Sequence, residues 1–191
     1  MVKLIVEAVP PVYLCCDALI TAADVASASR FQNDGRRREH LAWRRIVRRE
    51  LGRGVAIEYN EVGAPVVDRP DTYISVSHGG GMVAVAIADE PVGVDIESID
   101  RNFERVASRY MSAAEVALSS DKDWAARVWA AKEAIYKLYG KREVDLIEDM
   151  RITACDTQSM TLTAEVRDIE GIVVETKIIE SSVVVATATY K

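Results

Sequence analysis

The sequence predicts an α+β protein built as two halves of similar size, residues 1–91 and 92–191, meeting near residues 91–100. The predicted elements run strands, helices, strands, helices, strands, an order that suits layered α+β packing. The chain has 191 residues, enough for two small halves with their own cores, and no low-complexity linker separates them. Hydrophobic residues make up 49% and charged residues 28%, which is ordinary for a folded domain and excludes large-scale disorder.

Lys3–Val9 and Val12–Cys16 are predicted strands, split by Pro10-Pro11. Ala22–Arg30 is a modest helix. Arg36–Leu51 is a stronger one, because Trp43, Ile46, Val47 and Leu51 recur at helical spacing and Gly52 follows as a stop. Val55–Tyr59 is a strand, and Asn60–Pro65 is a loop with turn residues. Tyr73–Ser77, Met82–Ala88 and Val92–Glu97 are β-rich runs separated by Gly79-Gly-Gly81 and Asp89-Glu-Pro91. A helix is predicted over Asn102–Tyr110. Ser112-Ala-Ala-Glu115 is a capping box that starts another. Trp124–Tyr139 is the clearest helix, closed by Gly140. Arg151–Tyr190 is β-branched and broken by turns, predicting three or four antiparallel strands.

Net charge is −6, which argues against a nucleic-acid-binding protein. Arg36–Arg53 nevertheless holds eight arginines against Glu39 and Glu50, leaving −12 on the rest of the chain. Such an island fits a local anion site, with a solvated helix face the plainer alternative. Cys15, Cys16 and Cys155 lack metal-site or disulfide-framework spacing, so they are expected to be small buried apolar residues in a reducing compartment. No apolar run reaches the roughly 18 residues of a membrane span. No cleavage site follows the apolar N-terminus, so a cytoplasmic protein without membrane contact is expected.

Three segments carry chemistry. In Gly93-Val-Asp-Ile-Glu97 strand alternation puts Gly93, Asp95 and Glu97 on one face. Two carboxylates so close need a cation or one raised pKa, and Mg²⁺ favours such oxygens. A solvent-facing strand edge fits as well. In Trp129-Ala-Ala-Lys-Glu-Ala-Ile-Tyr-Lys137 the residues Trp129, Glu133 and Lys137 share one helix face, with Lys132 at its edge. Glu133 could be a third metal ligand or a base, and Lys132 and Lys137 phosphate ligands. A solvated Glu–Lys pair is the plainer alternative. In Ser75-Val-Ser-His-Gly-Gly-Gly81, His78 beside glycines suits a phosphate or an exposed hairpin turn.

In order and spacing these segments resemble the Sfp-type 4′-phosphopantetheinyl transferases, the holo-acyl-carrier-protein synthase superfamily. That family shows N-E-x-G-K-P, S-H-x-G, G-[IV]-D-[IV]-E and W-x-x-K-E-[SA]-x-x-K. This chain has Asn60-Glu-Val-Gly-Ala-Pro65, Ser77-His-Gly-Gly80, Gly93–Glu97 and Trp129–Lys137. Arg109-Tyr-Met-Ser-Ala-Ala-Glu115 and the basic run Arg38–Arg44 are similar to further family segments, so the recognisable stretch spans residues 36–140. The resemblance implies two related α/β halves about a pseudo-twofold, with the active site in the cleft between them. It implies Mg²⁺ on Asp95, Glu97 and Glu133, with Glu133 also the base, directly or through a bound water. It implies coenzyme A phosphates held by Arg38, Arg44, Ser77, His78, Lys132 and Lys137, with Asp95 adjoining the cofactor.

The reaction implied is attack by a serine of an acyl or peptidyl carrier protein on the β-phosphorus of coenzyme A, releasing adenosine 3′,5′-bisphosphate. Fatty-acid, polyketide and nonribosomal peptide synthesis all use such carriers. Within the family, a chain of this length implies a monomer. Ala64 stands where the family has lysine, and Val62 where it has an aromatic residue. The resemblance therefore implies a lost nucleotide or phosphate contact, with Arg36, Arg37 or Arg45 to compensate. Two other classes bear on the same residues. A non-catalytic coenzyme A or carrier-binding module needs no three acids. A metal-dependent nuclease needs a basic, aromatic surround, which the 6% aromatic content does not favour.

Overall fold

The computed structural model describes residues 1–191. Strand β1 (Val2–Ala8) leads to α1 (Ala22–Ala28) and α2 (Asp34–Leu51). Asn33 caps α2 by accepting from Arg36 N at 3.1 Å. A short ribbon follows, β2 (Ile57–Tyr59) with β3 (Pro65–Val67), and then β4 (Tyr73–Gly79), β5 (Met82–Ala88) and β6 (Val92–Ser98). A 3₁₀ helix at Glu104–Arg109 and the single turn α3 (Ala113–Val116) precede α4 (Trp124–Tyr139). The chain ends in β7 (Met150–Asp156), β8 (Thr161–Val166), β9 (Ile169–Ile179) and β10 (Val183–Tyr190).

Two antiparallel sheets result, in the orders β1-β5-β4 and β6-β10-β9-β8-β7. Alternation along β5 explains their stacking. Val83, Val85 and Ile87 pack with Trp43, Ile46 and Val47 of α2. Met82, Ala84 and Ala86 pack instead with Val92, Val94 and Ile96 of β6 and Val183 and Val185 of β10. The other face of β10 (Val184, Ala186, Ala188) joins Val128, Ala131 and Ile135 of α4. The layers are therefore α2, first sheet, second sheet, α4. This is why β5, and β10 up to Ala188, are buried on both faces.

The edges of the two sheets meet where β4 runs beside β6. Side chains join them there: Ser75 Oγ accepts from Val94 N at 3.0 Å, and Ser77 Oγ donates to Asp95 Oδ1 at 2.7 Å. Gly79 is required at this seam, because a Cβ would stand 2.4 Å from the Ile96 carbonyl oxygen.

Several expectations change. Val12–Cys16 is not a strand. It bends and turns on the surface, with Asp17 N bonded to Leu14 O and the Asp17 carboxylate paired with Arg45 at 2.8 Å, so no sheet edge receives it. Cys15 and Cys16 are accordingly exposed rather than buried, Cys155 is half-buried, and all three thiols are free. The helix predicted over Asn102–Tyr110 is the shorter 3₁₀ segment, and the strand at 55–59 keeps only Ile57–Tyr59. Strand β3 was hidden because proline opens it. The C-terminal strands number four, and α4 closes at Gly140 in a left-handed conformation (φ 64°), as its sequence position predicts. No helix is long and apolar enough to cross a membrane.

Candidate functional site

Strand β6 turns Gly93, Asp95 and Glu97 toward α4, and α4 sits so close that a Cβ on Gly93 would come 1.9 Å from the Ala134 carbonyl oxygen. A glycine at 93 lets the helix approach the acids. The stripe Trp129–Glu133–Lys137 faces them. Lys137 Nζ donates to Asp95 Oδ1 at 2.8 Å and to Val94 O at 2.9 Å, and Trp129 Nε1 donates to Glu97 Oε1 at 3.1 Å. Arg101 also pairs with Glu97 at 2.5 Å. Asp95 is 5% exposed, and its Oδ2 is buried with no hydrogen-bond partner. Glu133 is held above the usual carboxylate range, first by burial, then by the Asp95 charge, with Glu97 adding and Lys137 opposing. Asp95, Glu97 and Glu133 therefore act on one another electrostatically. Their oxygens are not gathered into a ready metal cage.

Ser77 reaches Asp95 from β4, while the next residue, His78, turns to the opposite face of the strand, toward α2. The ring of His78 lies between Arg36, whose Nη1 is 2.7 Å from Nε2, and Glu39, 3.3 Å from Nδ1. Burial above all, with Arg36 and Lys137 against Glu39, pulls its pKa below the ordinary value. The imidazole is therefore a neutral hydrogen-bonding group rather than a cation at neutral pH. The glycines after it serve the fold: Gly79 meets β6, and Gly80 and Gly81 make the β4–β5 turn with positive φ.

A cavity of about 470 Å³ opens beside this cluster. One wall is Ser75–His78 with Lys137, another is aromatic (Phe31, Trp43, Tyr59, Tyr136), a third is Val62–Pro65 with Gly140–Arg142, and His40, Ile74 and Val92 complete the lining. No carboxylate lines it. The sequence singled out Ser77, His78, Lys137 and the Val62–Ala64 departures, and the structure brings them to this one space. Lys141 and Arg142 went unnoticed, because a basic pair after a helix end usually only complements its carbonyls.

Three predicted phosphate ligands stand elsewhere. Lys132 is fully buried. Its ammonium pairs with Glu115 at 2.7 Å and donates to Leu146 O and Met150 O, at 2.5 and 3.1 Å. Glu115 also accepts from Ser112 N and Ile152 N, so the pair ties α3, α4 and β7 together. Lys132 points into the core because its place at the edge of the stripe lies over β7. Arg44 is 3% exposed and donates to Asp24 at 2.9 Å, to His40 Nε2 at 3.0 Å and to the Tyr59 hydroxyl at 3.3 Å. Its guanidinium satisfies the buried Asp24, which also binds Arg48. Arg38 donates to Pro11 O at 3.1 Å and lines a separate surface hollow with Arg37 and Asp34. Much of the arginine island is thus internal ion pairing rather than an open anion surface.

His40, inside that network, has its pKa pulled down to about 4, first by burial and then by Arg44, with Asp24 opposing and Arg30 adding. Neutral imidazole is the form that folds. The unfolded chain gains a proton below pH 6.5 that the native state refuses until about 4, so stability is lost as pH falls through that window. At pH 5 the loss from this group is about 2 kcal/mol. Urea midpoints at pH 7.5 and 5 are expected to differ more for the wild type than for His40→Gln. Equal differences would show that His40 does not set the acid limb.

With this geometry in place, the family model of the 4′-phosphopantetheinyl transferase superfamily matches residues 91–188, just over half the chain. The chain belongs to that superfamily. It is 34% identical over 88 residues to 4′-phosphopantetheinyl transferase Sfp of Bacillus subtilis (strain 168), 42% of this chain and 39% of that protein. It is 38% identical over 86 residues to 4′-phosphopantetheinyl transferase psf-1 of Bacillus pumilus, covering 41% and 37%. It is 31% identical over 107 residues to 4′-phosphopantetheinyl transferase gsp of Aneurinibacillus migulanus, covering 53% and 45%. In each case less than half the length of the curated relative is matched. The superfamily match contains β6 and α4, and so Asp95, Glu97, Glu133 and Lys137. Ser77 and His78 lie outside it.

Proposed function

We propose that this chain transfers the 4′-phosphopantetheine group of coenzyme A to a serine of an apo acyl or peptidyl carrier protein. The observation that carries this reading is a cavity without carboxylates, walled by cations and aromatic rings, ending on Ser77 and Lys137 one hydrogen bond from Asp95. Such a space suits a nucleotide bearing several phosphates, with its reacting end at the acids. Residues 1–91 and 92–191 then form the two halves, and the site lies where β4 of the first meets β6 and α4 of the second. A monomer holds both halves.

Asp95, Glu97 and Glu133 are the residues that would hold Mg²⁺. Asp95 Oδ2 has no other partner, and repulsion between the acids favours a cation. A magnesium site commonly uses one or two carboxylates completed by water and phosphate, so no preformed cage is needed. Bound there, the ion would offset charge on the pyrophosphate oxygens. Lys137 holds Asp95 in place and offers its ammonium at the cavity wall. Ser77 orients the same carboxylate. Burial and the Asp95 charge raise the proton affinity of Glu133, as a base toward a serine hydroxyl requires. The serine oxygen bonds to the β-phosphorus, its proton passes to Glu133, and the bond to adenosine 3′,5′-bisphosphate breaks.

The test is the intact mass of an apo carrier protein incubated with this protein, coenzyme A and Mg²⁺. A magnesium-dependent gain equal to one phosphopantetheine arm supports transfer. Coenzyme A binding with no mass gain across carriers from fatty-acid, polyketide and peptide synthesis would favour the binding-module alternative instead.

A further inference from the structure

Both oxygens of Glu97 are engaged. Oε1 accepts from Trp129 Nε1 at 3.1 Å, and Oε2 accepts from Arg101 Nη1 at 2.5 Å. The two donors differ in kind. Trp129 is neutral and packed against the core, edge-on to Tyr110 with ring centroids 5.0 Å apart. Arg101 is a cation on the loop after β6, and its side chain is 56% exposed against 18% for Glu97. Its guanidinium lies over the Phe103 ring, 5.1 Å from the centroid. Its charge also reaches Glu133, where it opposes the raising effects of burial, Asp95 and Glu97. Asp95 has a cation of its own in Lys137, yet keeps Oδ2 without a partner. Glu97 is thus the acid with no oxygen left unpartnered, and a long exposed side chain takes one of its two.

We propose that Arg101 is the resident counter-ion of the acid cluster, orienting Glu97 before a metal arrives and competing with that metal for it. The inference rests on the proposed transferase reading, in which Asp95, Glu97 and Glu133 hold Mg²⁺. Each Glu97 oxygen keeps a lone pair beside its present donor, so hydrogen bonding alone does not exclude a metal. Charge separates the two donors. Trp129 is neutral and can stay, whereas a guanidinium and a divalent ion on one carboxylate repel each other. A pair with so exposed a partner is easily broken, and the face of Phe103 keeps the released guanidinium close by. Arg101 does not line the cavity, so it is a positioning residue that acts through the acids. It sets the Mg²⁺ concentration at which the site fills.

The experiment is titration of the wild type, Arg101→Gln and Asp95→Asn with Tb³⁺, a hard oxygen-seeking cation, read by its luminescence on exciting Trp129, followed by displacement with Mg²⁺. Arg101 is exposed, so its variant is expected to fold. Arg101→Gln is expected to bind both ions about tenfold more tightly than the wild type, and Asp95→Asn to bind neither. A side chain that only braced the loop would give no such gain. Equal affinities, or weaker binding by Arg101→Gln, would overturn the inference while leaving the transferase reading intact. Failure of the wild type to bind either ion, or binding that Asp95→Asn leaves unchanged, would overturn the inference and the magnesium-dependent transferase reading together.

Discussion

Replacing Glu133 by glutamine is expected to reduce transfer to a carrier protein by at least a hundredfold while making the protein more resistant to heat. The first effect follows from its place. Glu133 stands on the α4 stripe between Trp129 and Lys137, both of which touch the β6 acids, and its proton affinity is raised by burial and by Asp95. Loss of a general base typically costs about 10²–10⁴ in rate, and loss of a carboxylate ligand would weaken metal binding as well. The second effect has the same origin. A carboxylate buried beside Asp95 and Glu97, and only partly offset by Lys137, destabilises the fold, and the neutral isostere removes the burial and repulsion costs of that charge. Intact-mass kinetics with Mg²⁺, and thermal melts of the same proteins without it, check both. Unchanged turnover would remove Glu133 from the chemistry. A large drop in melting temperature would show instead that it is a structural acid.

Replacing Lys132 by methionine is expected to unfold the protein more readily, by about 3–5 kcal/mol, because Glu115 would be left as an uncompensated charge in the core. Both members of this pair are essentially inaccessible, at 0% and 2% exposure. For a chain of this size the melting temperature should fall by roughly 10 °C or more. Changing Glu115 to leucine in the same molecule should recover part of the loss, since a buried ion pair replaced as a unit is often tolerated. The coenzyme A affinity of whatever folded Lys132→Met protein remains should match the wild type. Weakened binding with unchanged stability would restore Lys132 as a phosphate ligand. The two lysines of one helix thus divide their work, Lys137 at the acids and Lys132 in the core.

That division marks the limit of what residue spacing can convey. Helical periodicity placed Trp129, Glu133 and Lys137 on one face, strand alternation placed Asp95 and Glu97 on another, and the two faces do meet. The Ser112–Glu115 capping box was equally legible, because capping depends on residues three apart. Its second task was not. Glu115 reaches Lys132 and Ile152 only because α3, α4 and β7 converge. The arginine run was visible as charge, but Asp24, on a separate helix, draws Arg44 and Arg48 inward.

Local sequence determined what depends on one or two turns of backbone: the α+β element pattern, the acidic strand face, the reactive helix stripe, the caps and the turn chemistry of residues 60–65. Tertiary structure decided which of several equivalent charged groups reached the cavity, which were neutralised in the core, and that the end of α4 would bring Lys141 and Arg142 to a turn some eighty residues earlier. The physical reason is range. Dihedral preference and side-chain period are local, whereas burial and ion pairing are set by whichever distant element packs against a side chain.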